Sequence, residues 1–255
     1  MLWYKSWLET RWRFLIGLAI LMLSVMGTVL AYPRVEKLLP IMPAIDDGTL
    51  VGQRLRAIAE MSRTYGGYIW AQWSRQNMVQ TLSLFAALLG AGGLLSQGAG
   101  GGGLFTLSLP VSRERLLGVR AATGLAELAV LAIVPSLLLP LLSPVVGQSF
   151  GLAAALAHGV CAFLAATVVF SATSLLSTVF ADIWRPALIV CAAAAALGLC
   201  EPFFGALARY SLFGIMDGET YFRGNGLPWL GLLASAAASA AMLFAASRNL
   251  ARQDF

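Results

Sequence analysis

Apolar residues in this chain fall in long unbroken runs. Phe14 to Ala31, Met78 to Leu95, Ala121 to Val146, Phe150 to Ser177, Pro186 to Cys200 and Pro228 to Ser247 are each predominantly hydrophobic. A helix needs about 17–25 such residues to cross a hydrocarbon core of about 30 Å. The pattern predicts six spans, of which the fifth is the shortest. Barrel strands would instead alternate in polarity over about ten residues. These runs are continuous and rich in Ala, Leu and Gly, so the expected fold is an all-α integral membrane protein with six transmembrane helices.

Ahead of the first run, residues 2–13 pattern as an amphipathic helix. Trp3, Tyr4, Trp7, Leu8 and Trp12 share one arc of a helical wheel, and Lys5, Ser6, Glu9, Thr10 and Arg13 the other, with Arg11 interrupting the apolar side. Such a segment is expected to lie in the interface, bent against the first span, with its tryptophans at headgroup level. Lys5, Arg11 and Arg13 before an apolar run also fit the n-region of a signal peptide. An h-region is only about 7–15 residues, however, so an uncleaved span is expected.

Composition sharpens this picture. The chain is 59% hydrophobic and 11% charged, where soluble domains carry about 25% charged residues. With both termini cytoplasmic, the inner segments hold Lys5, Arg11, Arg13, Arg113, Arg115, Arg120, Arg185, Arg248 and Arg252. That is the orientation the positive-inside rule favours. The outer segments are then 32–77 and 201–227. The first carries six basic residues, a helix expected near Leu50–Arg63, and Tyr65, Tyr68, Trp70 and Trp73 as interfacial aromatics leading into the second span.

Several chemistries are excluded by what is missing. A chain with its own ATP site needs G-x-x-x-x-G-K-[ST], and the two lysines, Lys5 and Lys37, stand in no such motif. The glycine-rich stretch 90–103 is thus read as a flexible exit from the second span. The one histidine, His158, has no partner set for metal, haem or hydrolytic chemistry, so no catalytic or metal site is expected. Cys161, Cys191 and Cys200 lack C-x-x-C spacing and read as small packing residues. The net charge of +5 comes from arginines distributed along loops on both faces, which suits lipid headgroups better than nucleic acid.

The loop 96–120 contains a distinct element. In TLSLPVSRERLLGVR, Pro110 stops a preceding helix and Ser112 is placed to cap the next, which is expected to run through Leu116 and Arg120 into the third span, forming an elbow with Arg113, Glu114 and Arg115 at its tip. Leu109-Pro110-Val111-Ser112-Arg113 closely resembles the cytosolic loop of the type-2 (ABC-2, exporter-like) family of ABC transporter permeases. The resemblance implies that residues 103–117 form a coupling helix docking on a separate ATPase subunit, with Leu109, Pro110, Val111, Ser112, Arg113, Glu114 and Arg115 as contacts. It further implies two ATPase copies that bind ATP and Mg, no cofactor on this chain, and a second permease copy or homologous permease. A bacterial inner membrane location and outward transport follow from the same likeness, as does a segment 201–227 that dips into the outer leaflet. Where relatives carry a charged run before the loop motif, this chain has SQGAGGGG, which shifts docking onto Arg113, Glu114 and Arg115. A membrane anchor or regulatory scaffold for a cytosolic partner is the alternative.

Glu127, two turns into the third span, is the other candidate. An intramembrane carboxylate is costly and marks either a conduit or a side chain snorkelling beside Arg120, seven residues earlier on the same face. Pro135, Pro140 and Pro144 in that span are compatible with a hinge or a fixed kink. The alanines 192–196 and 234–241 suggest close helix packing, within a protomer or across a dimer.

Overall fold

The computed structural model describes residues 2–38, 60–92, 113–180, 182–200 and 211–252. Every regular element among them is helical. α1 is Leu2–Leu38 and α2 is Tyr65–Ile69, followed by a π-helical stretch Trp70–Met78 and by α3, Val79–Gly90. α4 is Arg113–Leu142, closed by a 3-10 turn at Ser143–Val146, and α5 is Leu152–Leu176. α6 is Trp184–Cys200, α7 Leu212–Met216, α8 Glu219–Phe222 and α9 Trp229–Ala251.

Four of these helical segments are long and apolar enough to cross a membrane: Leu2–Leu38, Glu114–Val146, Leu152–Leu176 and Trp229–Ala251. They mark a membrane protein. Half of the most apolar window of α5 is buried inside the chain, against 28% for α1 and α9, so α5 is the centre of the bundle. Its inward face, Ala162, Ala165, Ala166, Val169 and Phe170, meets Leu82, Phe85 and Leu89 of α3 and Leu128 and Leu131 of α4 within one core. The apolar faces left on α1, α6 and α9, including Leu23, Leu188, Leu199, Leu230 and Phe244, are exposed. In water such patches would drive aggregation, and in a bilayer they are ordinary lipid-facing surface.

The structure departs from the sequence expectations at several points. Residues 2–13 are not a separate interfacial helix; they continue without a break into the first span. The resulting 37-residue rod is about 55 Å long at 1.5 Å per residue. Pro33 lies within it near the C-terminal end, where its ring nitrogen leaves the Val29 carbonyl without the usual helical donor. The second helical run starts at Tyr65, thirteen residues before the expected boundary, so 65–77 is helix and not outer loop. One expectation in this region does hold: the helix predicted to begin after Ser112 and to run through Leu116 and Arg120 into the third span is observed, with Arg113–Arg120 as the first two turns of α4. The fifth run, at 17 residues, reaches only about 26 Å.

The aromatics expected at the membrane interface are packed inside the protein. Tyr65, Tyr68, Trp70 and Trp73 are buried, and Tyr32 of α1 lies edge-on to Tyr65 at 4.9 Å. The Tyr68 hydroxyl donates to the Thr28 carbonyl, and the Tyr65 hydroxyl pairs with Ser143 at 2.7 Å. Polar tips satisfied this way let the rings stay out of the headgroup layer. Within this one chain, the alanines among 234–241 are not what packs α9 against α5. On α9 the buried positions are Leu232, Ser235, Ser239, Ala246 and Leu250, while Ala234 and 236–238 face outward. Ser239 meets Thr167 of α5 at 2.7 Å, so a hydroxyl pair joins the two helices there.

Candidate functional site

The C-terminus of α3 is the point from which the chain leaves for segment 93–112, and its last carbonyls need partners that the helix itself lacks. Four side chains from three other helices supply them. Arg13 of α1 donates to the carbonyls of Leu88 (2.7 Å) and Ala91 (3.1 Å). Arg120 of α4 donates to the same Ala91 carbonyl at 3.2 Å. Ser177, just past α5, and Ser174 within it donate to the Gly90 carbonyl at 3.3 and 3.5 Å. Two cations at a helix C-terminus are also favoured by its dipole. Gly92 follows with φ +100, where a Cβ would come 2.8 Å from the Arg120 guanidinium, so glycine alone fits the exit.

This clamp extends sideways into a polar patch that is exposed at Glu9 and buried at Thr10 and Glu127. Arg120 pairs with Glu9 at 3.4 Å, and Glu9 with Lys5 at 3.9 Å. One residue on, Thr10 donates to Oε1 of Glu127 at 2.6 Å. Glu127 is 5% exposed, and its Oε2 is buried without a hydrogen-bond partner. Glu127 bonds to Thr10, and Arg120 to the neighbouring Glu9 and to the Ala91 carbonyl, so the two side chains are linked through the first turns of α1. Thr10, Glu9 and Arg13 carried no sequence signal beyond lying on the polar arc of the first turns. Contact between Thr10 and Glu127 spans 117 positions.

The remaining sequence candidates are distributed unevenly. Leu109, Pro110, Val111 and Ser112 lie outside the described residues. Arg113 opens α4, and Glu114 and Arg115 in its first turn are exposed. Trp3, Trp7 and Trp12 are exposed at 57%, 40% and 65%, on the same turns of α1 as Glu9 and Thr10.

Toward the opposite end of the bundle a cavity of about 580 Å³ opens between α3, α6 and the α7–α8 segment. Its walls are apolar, with Val79, Leu84, Ala194 and Phe213 among them, and its polar lining includes Arg75, Asp217 and Glu219. That size and composition suit a small-molecule site. Glu127 does not line this cavity. Glu219 pairs with Arg223, and the Arg75 guanidinium lies 5.5 Å over the Trp70 ring.

The α7–α8 segment is fastened by one carbonyl. Asp217 O accepts from Trp70 Nε1 at 3.1 Å and from His158 Nδ1 at 3.0 Å, which places the histidine proton on Nδ1. Phe222 stacks on Trp70 with centroids 4.5 Å apart. Replacing Trp70 with Phe loses one hydrogen bond and leaves a cavity at a buried site, while His158 still bonds the Asp217 carbonyl, so unfolding in detergent is expected to become easier by about 2–3 kcal/mol. No change in unfolding would mean that the indole is not packed and bonded there. Compared with protein-family models, curated proteins and solved structures, the chain matches none of them.

Proposed function

We propose that this chain is the membrane-spanning permease subunit of an ATP-driven ABC transporter of the type-2, exporter-like kind. Two copies, or this chain with a homologous permease, work on two ATPase subunits that bind ATP and Mg; the chain itself catalyses nothing. In this reading α3 with its π-helical lead and α6 complete six crossings, both termini are cytoplasmic, and the membrane is a bacterial inner membrane. Segment 103–117 is the docking elbow, and the 580 Å³ cavity is part of the substrate path.

The observation that carries the reading is the clamp at the C-terminus of α3. Segment 93–112 leaves from a helix end bonded to α1, α4 and α5 at once, and returns directly into α4, seven residues before Arg120. Force applied to the LPVSR elbow would reach α1 and α4 through charged donors, Arg13 and Arg120, and α5 through the hydroxyls of Ser174 and Ser177. A loose tether would have no use for such bracing. The exposed outer face of α6, with Leu188, Leu197 and Leu199, supplies apolar surface for a second copy.

Purification from the native membrane in mild detergent tests this. A stoichiometric partner bearing G-x-x-x-x-G-K-[ST] is expected, and reversing Arg113 and Arg115 to Glu should abolish its recovery while the permease still purifies. Recovery of the chain alone, or with a partner lacking that motif, would favour the anchor or scaffold.

A further inference from the structure

Beside the clamp, between α1 and α4, runs an open groove of about 350 Å³ lined by Trp3, Trp7, Phe14, Glu127 and Val130. Its polarity is graded along the helices. Trp3 and Trp7 line one end, Glu127 the middle, and Phe14 and Val130, each about a turn further into the apolar run, the other end. Val130 is 37% exposed, so the apolar end opens on the lipid-facing surface.

Of the lining side chains, Glu127 has a buried Oε2 without a hydrogen-bond partner, and outside the lining, on α1, the Nε of Arg11 is likewise buried without one. Arg11 follows Thr10, the residue bonded to Glu127, and stands one helical turn from Trp7, which places it on the rim at the same depth. Its guanidinium is 5.5 Å from the Trp12 ring. A carboxylate at bilayer depth with one hydrogen bond is costly unless a second donor reaches it.

We propose that this groove binds one zwitterionic phospholipid with a primary-ammonium headgroup, of the phosphatidylethanolamine type. The ammonium donates to Glu127 with the indoles of Trp3 and Trp7 beside it, the phosphate meets Arg11, and an acyl chain runs over Phe14 and Val130. Charge complementarity selects this occupant: an anionic lipid meets the carboxylate with repulsion, and a trimethylated choline head has no N–H to give it. The inference does not rest on the transporter reading.

Native mass spectrometry of the delipidated full-length chain, titrated in micelles with phosphatidylethanolamine, phosphatidylcholine or phosphatidylglycerol, tests it. One phosphatidylethanolamine should bind at least about tenfold more tightly than either other lipid, the worth of one charge-assisted hydrogen bond. Glu127→Gln should erase that preference, whereas Glu219→Gln, at the other end, should keep it. Val130→Trp fills the groove and leaves the carboxylate intact, so it decides the matter if Glu127→Gln does not fold; it should abolish binding. Equal affinity for phosphatidylcholine, binding unchanged in Val130→Trp, or a lipid-free dimer that Val130→Trp dissociates would each overturn the proposal, the last by giving the groove to a second copy.

Discussion

A Gly90→Val chain is expected to reach the membrane in sharply reduced amount and to unfold well below the temperature of the parent. A Cβ at residue 90 would lie 2.5 Å from the carbonyl oxygen of Phe170 and 3.0 Å from Cβ of Thr173. Neither contact is tolerable, and the first involves backbone, so α3 and α5 must move apart. That movement opens the bonds of Ser174 and Ser177 to the Gly90 carbonyl as well. Overpacking alone costs about 1–3 kcal/mol, and leaving the Gly90 carbonyl and the Ser174 hydroxyl without these partners adds a similar amount, although Ser177 keeps its bond to the Thr173 carbonyl. Together this is a large part of a typical fold's margin. Gly118→Ala is the matched control: nothing lies within 4 Å of a Cβ there, so it should stabilise α4 by up to about 1 kcal/mol. Equal thermal stability of Gly90→Val and parent, read by tryptophan fluorescence in detergent, would mean that α3 and α5 are not in this close approach.

Removing both arginines of the clamp is expected to cost more than the sum of removing each. Ala91 O accepts from Arg13 and from Arg120, so either arginine alone still satisfies it. Arg13→Gln loses the bond to Leu88, and Arg120→Gln the pair with Glu9, each worth about 1.5–3 kcal/mol where partly buried. Only the double variant leaves the Ala91 carbonyl bare, adding about 1 kcal/mol of coupling to the cycle. Strict additivity in detergent unfolding would mean the carbonyl is not shared. If the transporter reading holds, the double variant should also lose stimulation of the partner's ATP hydrolysis while retaining the partner, since the elbow itself is untouched.

How much of this was legible beforehand depended on the range of the interaction. Expected boundaries of 150–177 and 228–247 stand against observed helices Leu152–Leu176 and Trp229–Ala251, because a continuous apolar run is a local property. The start of the second helical run was missed because Gln72, Ser74, Arg75, Gln76 and Asn77 break the hydropathy of 65–78. Burial of Trp70 and Trp73 against other elements overrides that local polarity. The extension of α4 back to Arg113 was legible, not from hydropathy but from Pro110 and Ser112 as a stop and a cap ahead of a helix running through Arg120 into the span. Least legible was the clamp. Glu127 stood out as an oddity in an apolar run, yet nothing nearby in the chain pointed to Thr10, and arginines 13 and 120 looked like ordinary inner-face charges until their carbonyl partners were in view.

The nine π-helical residues Trp70–Met78 have one further consequence. A π-helix packs more residues into each turn than an α-helix and bonds them less favourably. The segment therefore behaves like slack wound onto a spool: drawn into ordinary α-helical turns, the same residues would lengthen along the axis and rotate about it. That rotation would swing Arg75 off the Trp70 ring and carry Val79, Gln80 and Ser83 around the wall of the cavity they line. The winding of this one stretch and the bore of the cavity are thus geared together, so a change in either is a change in both.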